Sequence, residues 1–209
     1  GDWRSIELEQ YAHDRKVATM TEAETGNATI TGINENAEQA QVLGELAPNE
    51  KSADDNRRLG FEIHGALNRP SDVDVYTFEA VAGTEVWLDI DRTTSSLDSV
   101  VELIDRNGNV LAQSNNSGAE AGDPSLLYFD PTVMAESQVN PLAKSLADGR
   151  DLWTTNPRDA GMRVALPGPV GSTNTYHVRV RSSSDQLSDI EGGLTFGVYQ
   201  LQIRLRETD

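Results

Sequence analysis

Residues Asp72–Ser114 constrain the fold more than any other stretch, reading DVDVYTFEAVAGTEVWLDIDRTTSSLDSVVELIDRNGNVLAQS. Within Glu85–Asp91, Val86, Leu88 and Ile90 alternate with Glu85, Trp87, Asp89 and Asp91. A period of two lines one face of a strand, whereas a helix repeats every 3.6 residues. Val73–Glu79 carries the Val, Tyr, Thr and Phe that a pleated surface favours. Ala82–Gly83 turns the chain, and Asp105–Gly108 joins Val100–Ile104 to Val110–Ala112. Its Asn-Gly pair accepts positive φ, as a tight hairpin requires.

Further strands are expected on either side. In Phe61–Leu67, Phe61, Ile63 and Leu67 share one face and Glu62 and His64 the other. Met162–Leu166 alternates. Tyr176, Val178 and Val180 oppose His177, Arg179 and Arg181, and Tyr199, Leu201, Ile203 and Leu205 oppose Gln200, Gln202, Arg204 and Arg206. The second set of each is expected to face solvent. The count predicts an all-β, jelly-roll-like antiparallel sandwich of about eight strands.

The flanking regions read differently. Trp3–Glu9 suits a short strand, and Gln10–Asn27 lacks a clear period and reads as a connector. Residues 1–30 are therefore assigned to a connector or strand from a preceding module, and 31–209 to the sandwich. Ile33–Leu46 has a weak helical pattern, and Pro48–Arg58 is a polar loop. Residues 115–160 form an insertion rich in Asn, Asp, Gly, Pro and Ser, with a short helix expected within Thr132–Ala147. So long a loop is either functional or a surface decoration.

Composition narrows the function. Thirty-four acidic against 17 basic residues give a net charge of −17. Such a surface repels nucleic-acid phosphates and anionic lipid and suits divalent cations. With no cysteine, disulfides and thiolate chemistry are excluded. No apolar run is long enough for a membrane-spanning helix. The sequence starts at Gly1 and stops just after a strand pattern, as expected of a piece of a longer polypeptide whose export signal lies elsewhere. No Gly-x-Ser-x-Gly elbow, His-Glu-x-x-His pair or phosphate-binding loop occurs, so no catalytic residue is assigned and the chain is not expected to be an enzyme.

Four segments carry a family resemblance: Asn34-Glu35-Asn36-Ala37-Glu38-Gln39-Ala40; Asp72-Val73-Asp74-Val75-Tyr76-Thr77-Phe78; Leu97-Asp98-Ser99 with Val101-Glu102-Leu103 and the Asn107–Leu111 hairpin; and Tyr176–Val180 with Gly197–Leu201. Together they resemble the bacterial pre-peptidase C-terminal domain, a relative of the collagen-binding domain of clostridial collagenases. The wording around Trp87 and Gln200–Arg206 also resembles modules of large planctomycete surface proteins. The resemblance spans about Ile33 to Leu205. It implies a jelly-roll sandwich acting as a non-catalytic accessory, adhesion or spacer module of an exported, extracellular or cell-surface protein, beside other modules of the same polypeptide.

The resemblance also implies a calcium site built from Asn34, Glu35, Asp72 and Asp74, with Gly32 and Ser71 standing where relatives carry acidic ligands. Calcium takes six to eight hard oxygens. The alternative is that Asp72 and Asp74 merely open a strand and cap a turn. A second acidic set, Asp89, Asp91, Asp98 and Asp105, is expected to be a solvated face. Trp87, on the outward face by alternation, and Trp153, in the insertion, are candidates for stacking on carbohydrate or contacting an extracellular protein. The competing expectation is that the insertion folds over the sheet and buries both.

Overall fold

The computed structural model describes residues 17–24, 33–49, 57–142 and 156–205. Twelve strands run through them: β1 (Val17–Thr21), β2 (Gln41–Glu45), β3 (Gly60–Leu67), β4 (Val73–Val81), β5 (Glu85–Asp91), β6 (Ser99–Ile104), β7 (Val110–Ser114), β8 (Tyr128–Phe129), β9 (Val139–Pro141), β10 (Gly161–Ala165), β11 (Thr173–Ser182) and β12 (Gly197–Leu205). They form two six-stranded sheets, ordered β1-β3-β12-β5-β10-β9 and β2-β4-β11-β6-β7-β8. The expected all-β sandwich is present. All eight strands read from alternation appear, and the other four, β1, β2, β8 and β9, are the edges of the two sheets.

Four expectations need correcting. β1 lies inside the stretch read as connector and pairs with β3, so the sandwich begins before residue 31. Ile33–Leu46 is not helical. It holds turns followed by β2. The sandwich is also not wholly antiparallel, because β1–β3 and β2–β4 pair in parallel. In the insertion, where a short helix is expected within Thr132–Ala147, the described part, 132–142, holds a 3₁₀ turn at Glu136–Gln138 leading into β9, and a four-residue helix, α1, spans Ser117–Glu120. Trp3–Glu9 and Trp153 lie outside the described residues.

The core follows the alternation. Phe61, Ile63, Leu88, Ile90, Leu201 and Ile203 of one sheet face Tyr76, Phe78, Val101, Leu103, Val178 and Val180 of the other, all at 0–1% exposure. Fully burying one such aliphatic or aromatic side chain contributes roughly 1.5–3 kcal/mol. Burial of this kind supplies most of the force holding the sheets together.

The outward faces are covered too, contrary to expectation. On the second sheet, Glu102, Arg179 and Arg181 are buried at 0%, 4% and 0% exposure. Arg179 Nε donates to Glu102 Oε2 at 2.5 Å, and Arg181 Nη2 donates to Oε1 at 2.8 Å and to the Leu187 carbonyl at 2.6 Å. The loop after β11 folds back over this pair, and its Ile190 packs on Val73, Val75 and Ile104. On the first sheet, Asp89 and Asp91 are buried. Gln202 Nε2 donates to Asp91 Oδ2 at 2.9 Å, and Arg204 pairs with Asp89 at 3.6 Å. Long polar side chains from neighbouring strands lie across these carboxylates, so the solvated face expected there is absent.

Gly65 has a specific steric role. It pairs with Tyr199 across β3 and β12, and a Cβ there would approach the Tyr199 ring closer than 3.0 Å. The missing side chain lets that ring lie flat over β3. Gly65→Ala is expected to lower stability by about 1–3 kcal/mol, the usual cost of overpacking. A fall in the urea midpoint at unchanged m-value tests this.

Candidate cation site

The acidic residues gather where β1 ends beside the turn between β3 and β4. Parallel pairing carries β1 along β3 until Thr21 lies opposite His64. The chain then bends, and the Glu22 amide donates to the His64 carbonyl at 2.9 Å. This delivers Glu22 and Glu24 to the turn. The Asp72 amide closes that turn onto the Arg69 carbonyl at 3.0 Å, and Asp72 Oδ2 accepts from the Asn68 amide at 2.6 Å. Asp74 follows on β4, with its side chain on the core face.

Glu22, Glu24 and Asp74 each bring a carboxylate oxygen within 4.8 Å of the other two, and all three are buried. Glu22 is held on both oxygens, by the Glu24 amide at 3.0 Å and the Ala66 amide at 3.1 Å. Glu24 Oε1 accepts from the Ile33 amide at 2.6 Å, which draws the next segment in. The Val75 amide then donates to the Asn34 carbonyl at 2.7 Å. Asn34 is fully buried, yet neither atom of its side-chain amide has a partner. Glu24 Oε2, Asp72 Oδ1 and Asp74 Oδ1 are likewise buried and unpartnered.

A hydrogen-bonded chain runs from this cluster into the core. Tyr199 donates to Asp74 Oδ2 at 2.6 Å. Its single proton being so used, Tyr199 accepts from Tyr76, also at 2.6 Å. Burial raises the pKa of Asp74 well above the carboxylate range, and the charge of Glu22 pushes it further. Glu22 is raised mainly by burial. Burial, aided by the charge on Asp74, also lifts both tyrosines well above their usual value, so they act as neutral hydrogen-bond donors.

Of the four residues expected to hold the cation, Asn34, Asp72 and Asp74 converge here. Glu35 is exposed and ion-pairs with Arg69 at 2.8 Å instead. Glu22 and Glu24 were missed because they lie in the stretch read as connector. The signal was the Glu-x-Glu directly after the alternating Val17–Thr21. The second acidic set does not assemble. Asp105 accepts from the Asn107 and Asn109 amides of its own hairpin at 2.8 and 2.9 Å, while Asp89 and Asp91 lie within the first sheet.

Trp87 is on the outward face, as alternation placed it, but is only 3% exposed. The Arg204 guanidinium lies 4.8 Å from its ring centre, and Arg163 is its partner on the opposite strand. Trp87 is therefore not an open stacking platform.

Geometrically, this is a β-sandwich whose acidic cluster lies where its first strand joins the sheet. Residues 72–134 match the model of the bacterial pre-peptidase C-terminal domain. The match supports the resemblance read from the sequence, to a family of non-catalytic, propeptide-type domains typically found in secreted bacterial proteins. No curated protein matches the chain. No helix among the described residues is long and apolar enough to cross a membrane.

The raised carboxyl pKa values fix the sign of a pH dependence. A group that holds its proton more tightly in the fold adds stability below its unfolded pKa and loses it as pH rises through the folded value. Without a cation, stability from Glu22 and Asp74 should therefore decline from acid toward neutral pH, with a limiting slope of about 1.4 kcal/mol per pH unit for each proton. Asp74→Asn should flatten this decline and stabilise the cation-free protein at pH 7. Urea melts across pH in the presence of a chelator test both effects.

Proposed function

We propose that this is a calcium-stapled accessory module of an exported bacterial protein, presenting a surface outside the cell for adhesion. One observation carries the calcium reading: Glu24, Asn34, Asp72 and Asp74 each leave a side-chain oxygen buried and unpartnered in one region. Such groups are costly to bury and are normally satisfied. No basic side chain among the described residues pairs with Glu22, Glu24, Asp72 or Asp74. A divalent ion supplies the missing charge, and carboxylate and amide oxygens are the donors calcium prefers over the smaller, more strongly hydrated magnesium. Glu22, Glu24, Asn34, Asp72 and Asp74 would hold it.

The ion's role is structural. It ties the segment after β1 to the β3–β4 turn and to the core through Tyr199. Presentation is favoured over linear spacing by the path of the chain. Val17 at the start of β1 and Arg204 near the end of β12 both lie opposite Gly60. The start of β1 and the end of β12 thus lie at one end of the sandwich, which leaves its other end available for contacts.

Millimolar calcium should raise the melting temperature above that in chelator, while equimolar magnesium should do little. At a hundred times Kd the stabilisation is about 2.7 kcal/mol. Glu24→Gln and Asp74→Asn should each remove most of the calcium-dependent shift. An equal response in the variants and the parent would refute the assignment.

A further inference from the structure

A cavity of about 390 Å³ opens on the outward face of the first sheet, behind the acidic cluster. Its lining includes Ala66 and Val198, which pair across β3 and β12, and His64 and Gln200, the next such pair on that face. Thr21 lies on the β1 side, and Arg92 completes the lining. Ligand pockets for small molecules begin at about 300 Å³.

Three observations mark it as a built site. Gln200 is 97% buried by its 3% exposure, yet its Oε1 has no partner. Arg92 is the residue other than glycine with positive φ among the described residues, at 49°. Strain of this kind concentrates at ligand clamps. The turn carrying Arg92 is also pinned: the Thr94 amide donates to the Val198 carbonyl at 3.0 Å, and the Val198 amide donates to Thr94 Oγ1 at 3.1 Å.

The lining selects a chemical class. It contains no carboxylate to hold a cation, and the net charge of −17 disfavours an anionic ligand. Within the lining, Val198 is 55% exposed and offers an apolar surface. The buried amide of Gln200 needs a partner, and a hydroxyl, both donor and acceptor, satisfies it. A neutral ring with one apolar face and a rim of hydroxyls has this combination.

We infer that this pocket binds a neutral sugar residue of an extracellular glycan, with a ring hydroxyl donating to Gln200 Oε1 and the ring's C–H face against Ala66 and Val198. The inference does not rest on calcium, because none of these contacts passes through the cation cluster. It also differs from stacking on Trp87, which is buried.

The test is amide NMR of the folded protein titrated with millimolar cellohexaose, xylohexaose, mannohexaose and N-acetylchitohexaose, with a galacturonate oligomer as the charged comparison. At least one neutral oligomer should cause saturable shifts at Thr21, Ala66 and the Gln200 side chain. Val198→Arg, a change at an exposed position, should weaken that binding tenfold or more, and Gln200→Leu should do likewise, with melting temperatures confirming that each variant is folded. No shift at the pocket with any neutral oligomer, unchanged binding in Val198→Arg, or preference for the charged oligomer overturns the inference. If Gln200→Leu does not fold, Val198→Arg decides. Each titration is run in chelator and in calcium. Because the calcium reading is judged by melting temperature alone, the two can fail separately.

Discussion

Tyr76 and Tyr199 come from opposite sheets and meet in the core through a hydrogen bond of 2.6 Å. Much of the acidic end of the molecule depends on that contact. Tyr199 reaches it because Gly65 leaves room for the ring, and its proton is aimed at Asp74 because Tyr76 fills its acceptor position. Asp74 is thus oriented from behind, with Oδ2 committed to the tyrosine and Oδ1 left toward the cluster. With a cation holding Asp74 ionised, that acceptor is charged, and such a hydrogen bond is roughly twice as strong as a neutral one. The cluster is therefore oriented from within the core rather than by a loose surface turn.

Charge is also buried on the outward faces, under a different rule. Glu102 is shared by two arginines, and Arg181 has a backbone carbonyl as well. Removing one partner of such a group typically costs 3–5 kcal/mol, although the intact arrangement adds little net stability. Its consequence is positional, since Arg181 fixes the loop after β11 through Leu187. In the acidic cluster, by contrast, carboxylates face one another, and no basic side chain among the described residues pairs with them. The two groups of buried charge thus differ in pairing rather than in the number of acidic residues.

The eight inner strands were legible because their side chains must satisfy a buried face, which enforces a period of two. The four edge strands escaped because they have two to five residues each and pair on one side only. β1 shows the effect best: Ala18 and Met20 alternate with Thr19 and Thr21 in an otherwise polar stretch, and only pairing with β3, some forty residues away, makes it a strand. Asp72, Asp74 and Asn34 were visible in the site because they lie in or beside a recognisable motif. Glu22 and Glu24 were not, since parallel pairing that no local pattern encodes brings them there. Alternation placed Trp87, Asp89 and Arg179 on the correct faces, but it carries no information about what covers a face. Their burial depends on long side chains and a returning loop.

The parallel course of β1 has a mechanical consequence. Its first residue and the end of β12 flank the same end of β3, whereas Glu22 and Glu24 follow β1 at the opposite end. Tension that drew these two points apart would pull across the strands, opening the β1–β3 ladder one hydrogen bond at a time from Val17. The acidic cluster would be the last connection reached. A bound ion there would act as a stop at the far end of a zipper, setting how much chain is released before the sandwich itself carries load.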